Sequence, residues 1–378
     1  MSILPGYLFL ERLTRPAGSG GGPVQPVNVL LVTHRDENQH LILPQVLREV
    51  ETLGGGHRLR LVRDSGKRLR RFPIWQLYHT LHRLWTLGQP TVVISMRRAL
   101  AVPYRKFAPR WATIWQQLPM DKIQEFTVLD EAGIPIPRWA AVRRDYQPDL
   151  SAFGEFVVVK PADGAKGAFV RVMRRSRVSW RPFQVKWRPL YAGTDLSETV
   201  SEALVVQDYI HTGPWPICYR VGTVFGEPIY AWRVTADRSR KAFDPSLEGS
   251  RFFDGRTIVA PSTGSTLDTE VPNDILDFAR RAHTAFPNVP CLGVDIVREE
   301  STGKLYALEV HVSGGTFHLT SPMRDRLSDT EIDLDAQFGG AAAVARGIHG
   351  RVSAHLEQLS SSTSAGNKTG EDRPVRNA

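Results

Sequence analysis

Two short apolar alternations separated by a polar turn constrain this chain more than any other feature. Leu292, Val294 and Ile296 alternate with Gly293, Asp295 and Val297; after Glu299 to Gly303, Tyr306, Leu308 and Val310 alternate with Ala307, Glu309 and His311. Such a pair reads as an antiparallel hairpin whose register is pinned by placing both apolar sets on one buried face. Asp295, Glu309 and His311 then share the other face, within reach of a common ligand. Two facing carboxylates repel unless a cation or proton sits between them, and a hard divalent cation with nucleotide phosphates relieves that repulsion. For the hairpin alone, a solvated face is the simpler reading. The step Glu309-Val310-His311, followed by Ser313-Gly314-Gly315-Thr316, shifts the balance, because a glycine-rich exit lets substrate approach the backbone.

Cations at three places suggest an anion. Phe156 to Pro161 reads as a buried strand ending in Lys160, and Ala162 to Ala168 forms a glycine-containing loop before a second strand pattern, Phe169 to Val172. Backbone N–H groups of such a loop can converge on an anion, with Lys160 and Lys166 as point charges. A plain hairpin turn with solvated lysines is the alternative, and no Gly-x-x-x-x-Gly-Lys-Ser/Thr occurs. A helix is predicted over 121–132, with Asp121 as N-cap, Gly133 as C-cap and Ile123, Phe126 and Leu129 at helical spacing. Lys122 in its first turn opposes the macrodipole, a sign that a gathered anion would reverse.

The remaining chain supplies context. With 378 residues there is room for two or three packed units, and 42% hydrophobic with 23% charged residues is ordinary globular composition. The net charge of +9 favours polyanionic partners without choosing among them. Two distant cysteines, Cys218 and Cys291, form neither a disulfide framework nor a zinc pattern, which points to a reducing, cytoplasmic setting. Met1 to Leu10 lacks the basic start of a secretory signal. No apolar run approaches the roughly 18 residues needed to span a bilayer, so no membrane role is expected.

The expected organisation is a flexible lead over 1–26, rich in glycine from Gly18, and a small α/β unit over 27–118. The latter rests on strand patterns at Val27 to Val32 and Thr91 to Ile94, and on helical patterns over 43–53 and 75–87. Strand signals dominate from Phe156 to Val312, with one helix near 274–286. The final stretch is Ser, Thr, Gly and charge, and a disordered tail is expected over 356–378.

Taken together, the motifs resemble the ATP-grasp superfamily, of the D-alanine–D-alanine ligase and glutathione synthetase type. The matching segments are Asp121-Lys122 with Ala132 to Pro137; Val158 to Pro161; Val205 to Ile210; Tyr219 to Val221; and Gly293 to Ile296 with Leu308 to His311. None is specific alone; their order and spacing carry the signal. The resemblance implies an α/β fold class: a preceding small α/β domain, then two α+β subdomains that clasp ATP, at 119–204 and 205–355. It further implies that Lys122, Lys160 and Lys166 hold ATP phosphates, and that Gln207 with the backbone of Tyr209 and Ile210 frames the adenine. Asp295, Glu309 and His311 would hold magnesium, and Arg220 and Arg233 would face the transferred phosphoryl group. A surface cross-strand pair is the alternative for Arg233.

Two positions depart from the family pattern. His311 stands where asparagine is usual, and imidazole suits manganese better than magnesium. Gln207 stands where glutamate is common. The implied reaction is ATP-dependent carbon–nitrogen ligation through an acyl phosphate, with small-molecule or peptide carboxylates and amines as partners and oligomeric state left open. One alternative is phosphotransfer on the same scaffold. Another is single-stranded nucleic-acid binding by the basic and aromatic stretch 174–188, for which a lid over ATP is the more economical account. Residues 235–266 read as a long loop reaching toward substrate.

Overall fold

The computed structural model describes residues 27–34, 42–54, 58–64, 73–96, 108–163, 170–180, 203–238, 265–313, 315–321, 324 and 332–367. Lys166, residues 181–188 of the basic stretch and residues 239–264 of the long loop lie outside them. The fold class is the expected one, mixed helix and strand built on several sheets. The chain divides into two units: 1–117 with 288–290 and 317–378, and 118–287 with 291–316.

In the first unit, β1 (Asn28–His34), β2 (Arg58–Asp64), β3 (Thr91–Ser95) and β4 (Thr113–Gln116) form a parallel sheet in the order β2-β1-β3-β4. Helices α1 (Leu43–Leu53) and α2 (Pro73–Thr86) connect its first three strands. Leu30, Val32 and Val93 of the sheet pack with Leu81 and Leu84 of α2. Strand β2, with its alternating arginines and leucines, had no expected boundaries.

The chain after residue 316 was expected to continue the second unit as far as 355; it returns to the first instead. There the long helix Ala341–Asn367 packs against α1. Its continuation to Asn367 also corrects the expectation of a disordered tail from 356. The last turns are poor helix formers, but extending a nucleated helix fixes one residue per hydrogen bond gained, so composition alone misjudged them.

The second unit holds two antiparallel sheets. Strands β5 (Trp139–Arg143), β6 (Phe156–Pro161), β7 (Arg171–Arg174) and β8 (Ala203–Asp208) give the smaller, in the order β5-β8-β6-β7. The larger follows the order β11-β10-β9-β12-β13 and comprises β9 (Ile217–Val224), β10 (Glu227–Ala236), β11 (Ser265–Asp268), β12 (Cys291–Arg298) and β13 (Leu305–His311). One face of the small sheet is a core of Val142, Val157, Val159, Leu204 and Val206. One face of the large sheet is covered by α4 (Asn273–Thr284), which buries Ile275, Phe278, Ala279 and Ala282 and places His283 Nδ1 2.6 Å from Thr223 Oγ1.

Helix α3 (Lys122–Glu131) opens this unit. Asp121 and Gln124 form a reciprocal capping box at 2.9 and 3.0 Å, which satisfies the first orphan donors. Gly133, at φ 66°, ends the helix, and Pro135 follows. Its buried stripe is Lys122, Glu125, Phe126 and Leu129, not the expected Ile123, Phe126 and Leu129. Two charged side chains thus point inward, which hydrophobic spacing cannot anticipate.

Candidate functional site

Register determines which side chains meet on the uncovered face of the large sheet. Strands β9, β12 and β13 align Arg220 with Asp295 and Asp295 with Glu309, and β10 places Trp232 beside Arg220. One row therefore runs Trp232, Arg220, Asp295, Glu309. Two residues along, a second row runs Tyr230, Gly222, Gly293, His311 on the same face. Its glycines are steric necessities. A Cβ on Gly222 would lie 2.1 Å from the Tyr230 ring, and one on Gly293 would lie 2.9 Å from the Thr316 methyl. Tyr230 then donates from its hydroxyl to Thr316 O at 2.7 Å.

The hairpin is real, with one correction to its register. Asp295 faces Glu309 directly as expected, but a bulge follows, so that Ile296 pairs with Ala307. Ala307 is buried while Leu308 is only partly so, the reverse of simple alternation. The bulge leaves the Leu308 carbonyl to accept a hydrogen bond from Lys160 Nζ at 2.9 Å.

Two segments distant in sequence bring charge to Glu309. Lys122 Nζ from α3 lies 3.2 Å from its Oε1, and Lys160 Nζ from β6 lies 4.0 Å from its Oε2. The α3 start is tied to the end of β6 by Lys122 N–H donating to Ala162 O at 2.9 Å. Lys160 also stands 4.8 Å over the Phe126 ring. On the other side, Arg220 clamps both Asp295 oxygens, Nη2 to Oδ2 at 2.7 Å, and approaches His311 Nε2 at 3.0 Å.

The ionisation pattern follows from these contacts. Burial pushes the Asp295 carboxyl up, but Arg220 and then His311 outweigh it and hold it well below the usual range. For Glu309, burial is likewise outweighed, by His311, Lys160 and Lys122. Burial lowers Lys160 to about 8, although Glu309 opposes the shift. Glu125, unnoticed in the sequence, moves the other way: burial and then the Glu309 charge raise it well above a normal carboxyl, against Lys122, Lys160 and the Val312 N–H. The three carboxyls are thus pulled in opposite directions, Asp295 and Glu309 down and Glu125 up.

Among the described residues no three His, Cys, Asp or Glu side chains form a metal site by themselves. The charged, directly opposed carboxylates of Asp295 and Glu309 nevertheless fit a hard cation that completes its shell with phosphate oxygens. His311 fits less well. Its Nε2 lies 3.2 Å from Asp295 Oδ2 and is also approached by Arg220, whereas its Nδ1, 3.9 Å from Glu309 Oε1, is beyond hydrogen-bond reach, so Nε2 is the engaged nitrogen.

Other anticipated residues divide. Gln207 pairs with Val158, two residues from Lys160, which places both side chains on the face of the small sheet opposite its core. It is 1% exposed, and its amide nitrogen has no hydrogen-bond partner among the described residues. Tyr209 and Ile210 follow β8, but the Tyr209 N–H already donates to Phe156 O at 3.3 Å, so it is not offered to a base. Arg233 is excluded from the site by register. It pairs with Tyr219, one residue out of step with Arg220, and therefore lies on the other face, where it meets Asp268 in a cross-strand ion pair.

No family model matches the sequence, and no curated protein matches it. Solved structures do. D-alanine–D-alanine ligase from Bacillus anthracis aligns over 85% of this chain and 98% of its own, at 11% identity and a TM-score of 0.45. D-cycloserine synthetase DcsG aligns over 86% and 99%, at 17% identity and 0.43. ATP-grasp ligase PsnB, complexed with minimal precursor, Mg and ADP, aligns over 86% and 100%, at 14% identity and 0.43. Scores and identities are both low, and the functional argument rests on the chain's own side chains.

Proposed function

We propose that this chain is an ATP-grasp enzyme: an ATP-dependent carboxylate–amine ligase that binds its nucleotide between the two antiparallel sheets of the second unit. The observation that carries the proposal is the convergence of Lys122 and Lys160 on Glu309, with the Arg220–Asp295 pair in the same row. Lysines this deeply buried beside charged carboxylates are matched to a ligand that is itself both anionic and metal-bound. Lys122, Lys160 and Arg220 are the cations that would meet phosphate.

Lys122 and Lys160 would turn from Glu309 to the phosphate oxygens, and Lys166, which follows β6 in the sequence, would add another charge. Glu309 and Asp295 would hold magnesium, which when bound neutralises phosphate charge. His311, with its Nε2 already beside Asp295 and Arg220, would contribute less to the metal than the two carboxylates. Gln207 would take the polar edge of adenine, together with the backbone near Ile210. Arg220 would stabilise charge on the transferred phosphoryl group from beside Asp295.

No protein nucleophile is needed. Cys218, two residues before Arg220 on the same face, is buried, and burial pushes its thiol up and keeps it inert. The substrate carboxylate attacks the γ-phosphorus, the bond to the β-bridging oxygen breaks, and ADP leaves. An amine then attacks the acyl carbon and expels phosphate, losing a proton. Phosphotransfer on the same scaffold is the alternative, and the two differ in the acceptor, which the mass of the product identifies. The buried free cysteines suit a reducing cytoplasm.

ADP release in the presence of magnesium and a pool of amino acids and dipeptides tests the proposal. Release should depend on the pool and fall at least about a hundredfold in Glu309→Ala. Equal release from the variant would remove Glu309 from the mechanism.

A further inference from the structure

Four flat rings gather at the surface of the first unit. Tyr78, His82 and Trp85 recur at helical spacing along one face of α2, beside the face whose Leu81 and Leu84 enter the core. Tyr78 and His82 are stacked, with ring centroids 6.0 Å and planes 13° apart, and Trp85 follows His82 at 6.0 Å. Trp111, just past the short turn Ala108–Arg110, meets all three rings, at 5.1, 5.8 and 6.4 Å. His82 is exposed, Tyr78 and Trp111 are half-buried, and Trp85 is 42% exposed. Aromatic rings gain more from burial than most side chains, so a cluster of them held open to water implies a partner.

Charge says which kind. From Ser65 to Met120 the sequence contains ten lysines and arginines and no aspartate or glutamate, while the whole chain carries +9, so the rest is close to neutral. Arg83 of α2 and Arg110, next to Trp111, are exposed. Such a field repels an ammonium ligand. It also repels a second copy, which on a twofold axis would set the same stretch against itself. A polyanion is attracted. Among polyanions, a single-stranded polynucleotide also brings flat bases that can lie on rings, whereas the bases of a duplex are already stacked on one another. We propose that this face of the first unit binds single-stranded nucleic acid without sequence preference, with bases stacking on Trp85, His82 and Tyr78 and phosphates meeting Arg83 and Arg110. None of these residues takes part in the proposed ligase chemistry.

Fluorescence anisotropy of full-length protein with labelled oligo-uridine of about twenty nucleotides tests this, beside oligo-thymidine, a duplex of equal length and polyglutamate. Both single strands should bind within about threefold of each other, and at least about tenfold tighter than duplex or polyglutamate. Their affinity should fall at least about tenfold between roughly 50 and 200 mM salt. Trp85→Ala should weaken binding about tenfold, and Trp85→Phe, which keeps a ring, less than about threefold. Arg83→Gln and Arg110→Gln should each lower the salt slope by about 0.7. Leu87→Ala, which removes an exposed apolar side chain near Trp85, should bind as wild type does, and saturating ATP with magnesium should displace nothing. The proposal is overturned if neither single strand binds, or if polyglutamate binds as tightly, which would make the partner an acidic peptide. Equal losses in Leu87→Ala and Trp85→Ala would make the face an apolar docking surface. Displacement by ATP, or normal binding by Trp85→Ala, would place the nucleic acid elsewhere on the chain.

Discussion

Lys160 ends a buried strand with its ammonium between the Leu308 carbonyl, the Phe126 ring and Glu309. Burial lowers it to about 8, so its charge is lost within an accessible pH range. A phosphate ligand requires the charged form. Affinity for AMP-PNP with magnesium should therefore be flat below pH about 7.5 and weaken by up to about tenfold per pH unit above 8. Stability changes with the opposite sign. Between pH 8 and 10.5 the folded chain binds fewer protons at this lysine than the unfolded chain, so stability rises with pH across that window. Lys160→Met should abolish both dependences, as calorimetry and melting curves from pH 6 to 10 would reveal; a persistent affinity loss in Lys160→Met would place the titration elsewhere. Gln207 makes a complementary case. Its amide nitrogen is buried without a partner among the described residues, a cost of about 1–3 kcal/mol to the folded state that a ligand can recover. Gln207→Leu should raise Tm by roughly 2–4 °C while weakening nucleotide binding about tenfold. A lower Tm with unchanged affinity would make the side chain structural.

Elements were legible where one rule decided them. Helix α1 occupies the expected residues 43–53, and α3 begins at its expected cap because Asp121 and Gln124 are local signals. The hairpin of β12 and β13 was legible because apolar alternation sets register, and it placed Asp295, Glu309 and His311 on one face. The bulge after Asp295 was not, since an extra residue leaves no mark in an alternating pattern; it surfaces only when Lys160 claims the Leu308 carbonyl. Nor was Glu125, whose inward turn contradicts hydrophobic periodicity. Arg233 failed for a simpler reason. Its strand was correctly paired with that of Arg220, but an offset of one residue sends it to the opposite face. Sequence motifs carry strand identity well and facing poorly, because facing depends on a register set by residues elsewhere.

At the scale of the whole molecule, the second unit assembles its site from α3, β6, β9, β12 and β13, so no contiguous stretch of chain contains it. The first unit supplies a parallel α/β sheet and the long C-terminal helix. Among the described residues no helix is long and apolar enough to cross a membrane. The overall charge of +9 agrees with an anionic substrate but would agree equally with nucleic acid. The arrangement around Glu309 favours the nucleotide, because it sets buried lysines beside charged, opposed carboxylates. Oxygen transfer distinguishes ligation from every other outcome. Amino acids and dipeptides labelled with ¹⁸O in their carboxyl groups are incubated with the protein, ATP and magnesium, and inorganic phosphate is analysed by mass spectrometry. An acyl phosphate leaves one carboxyl oxygen on phosphorus when the amine displaces it, so the account predicts phosphate carrying a single ¹⁸O in step with ADP. Unlabelled phosphate, or phosphate retained on the product, would contradict it.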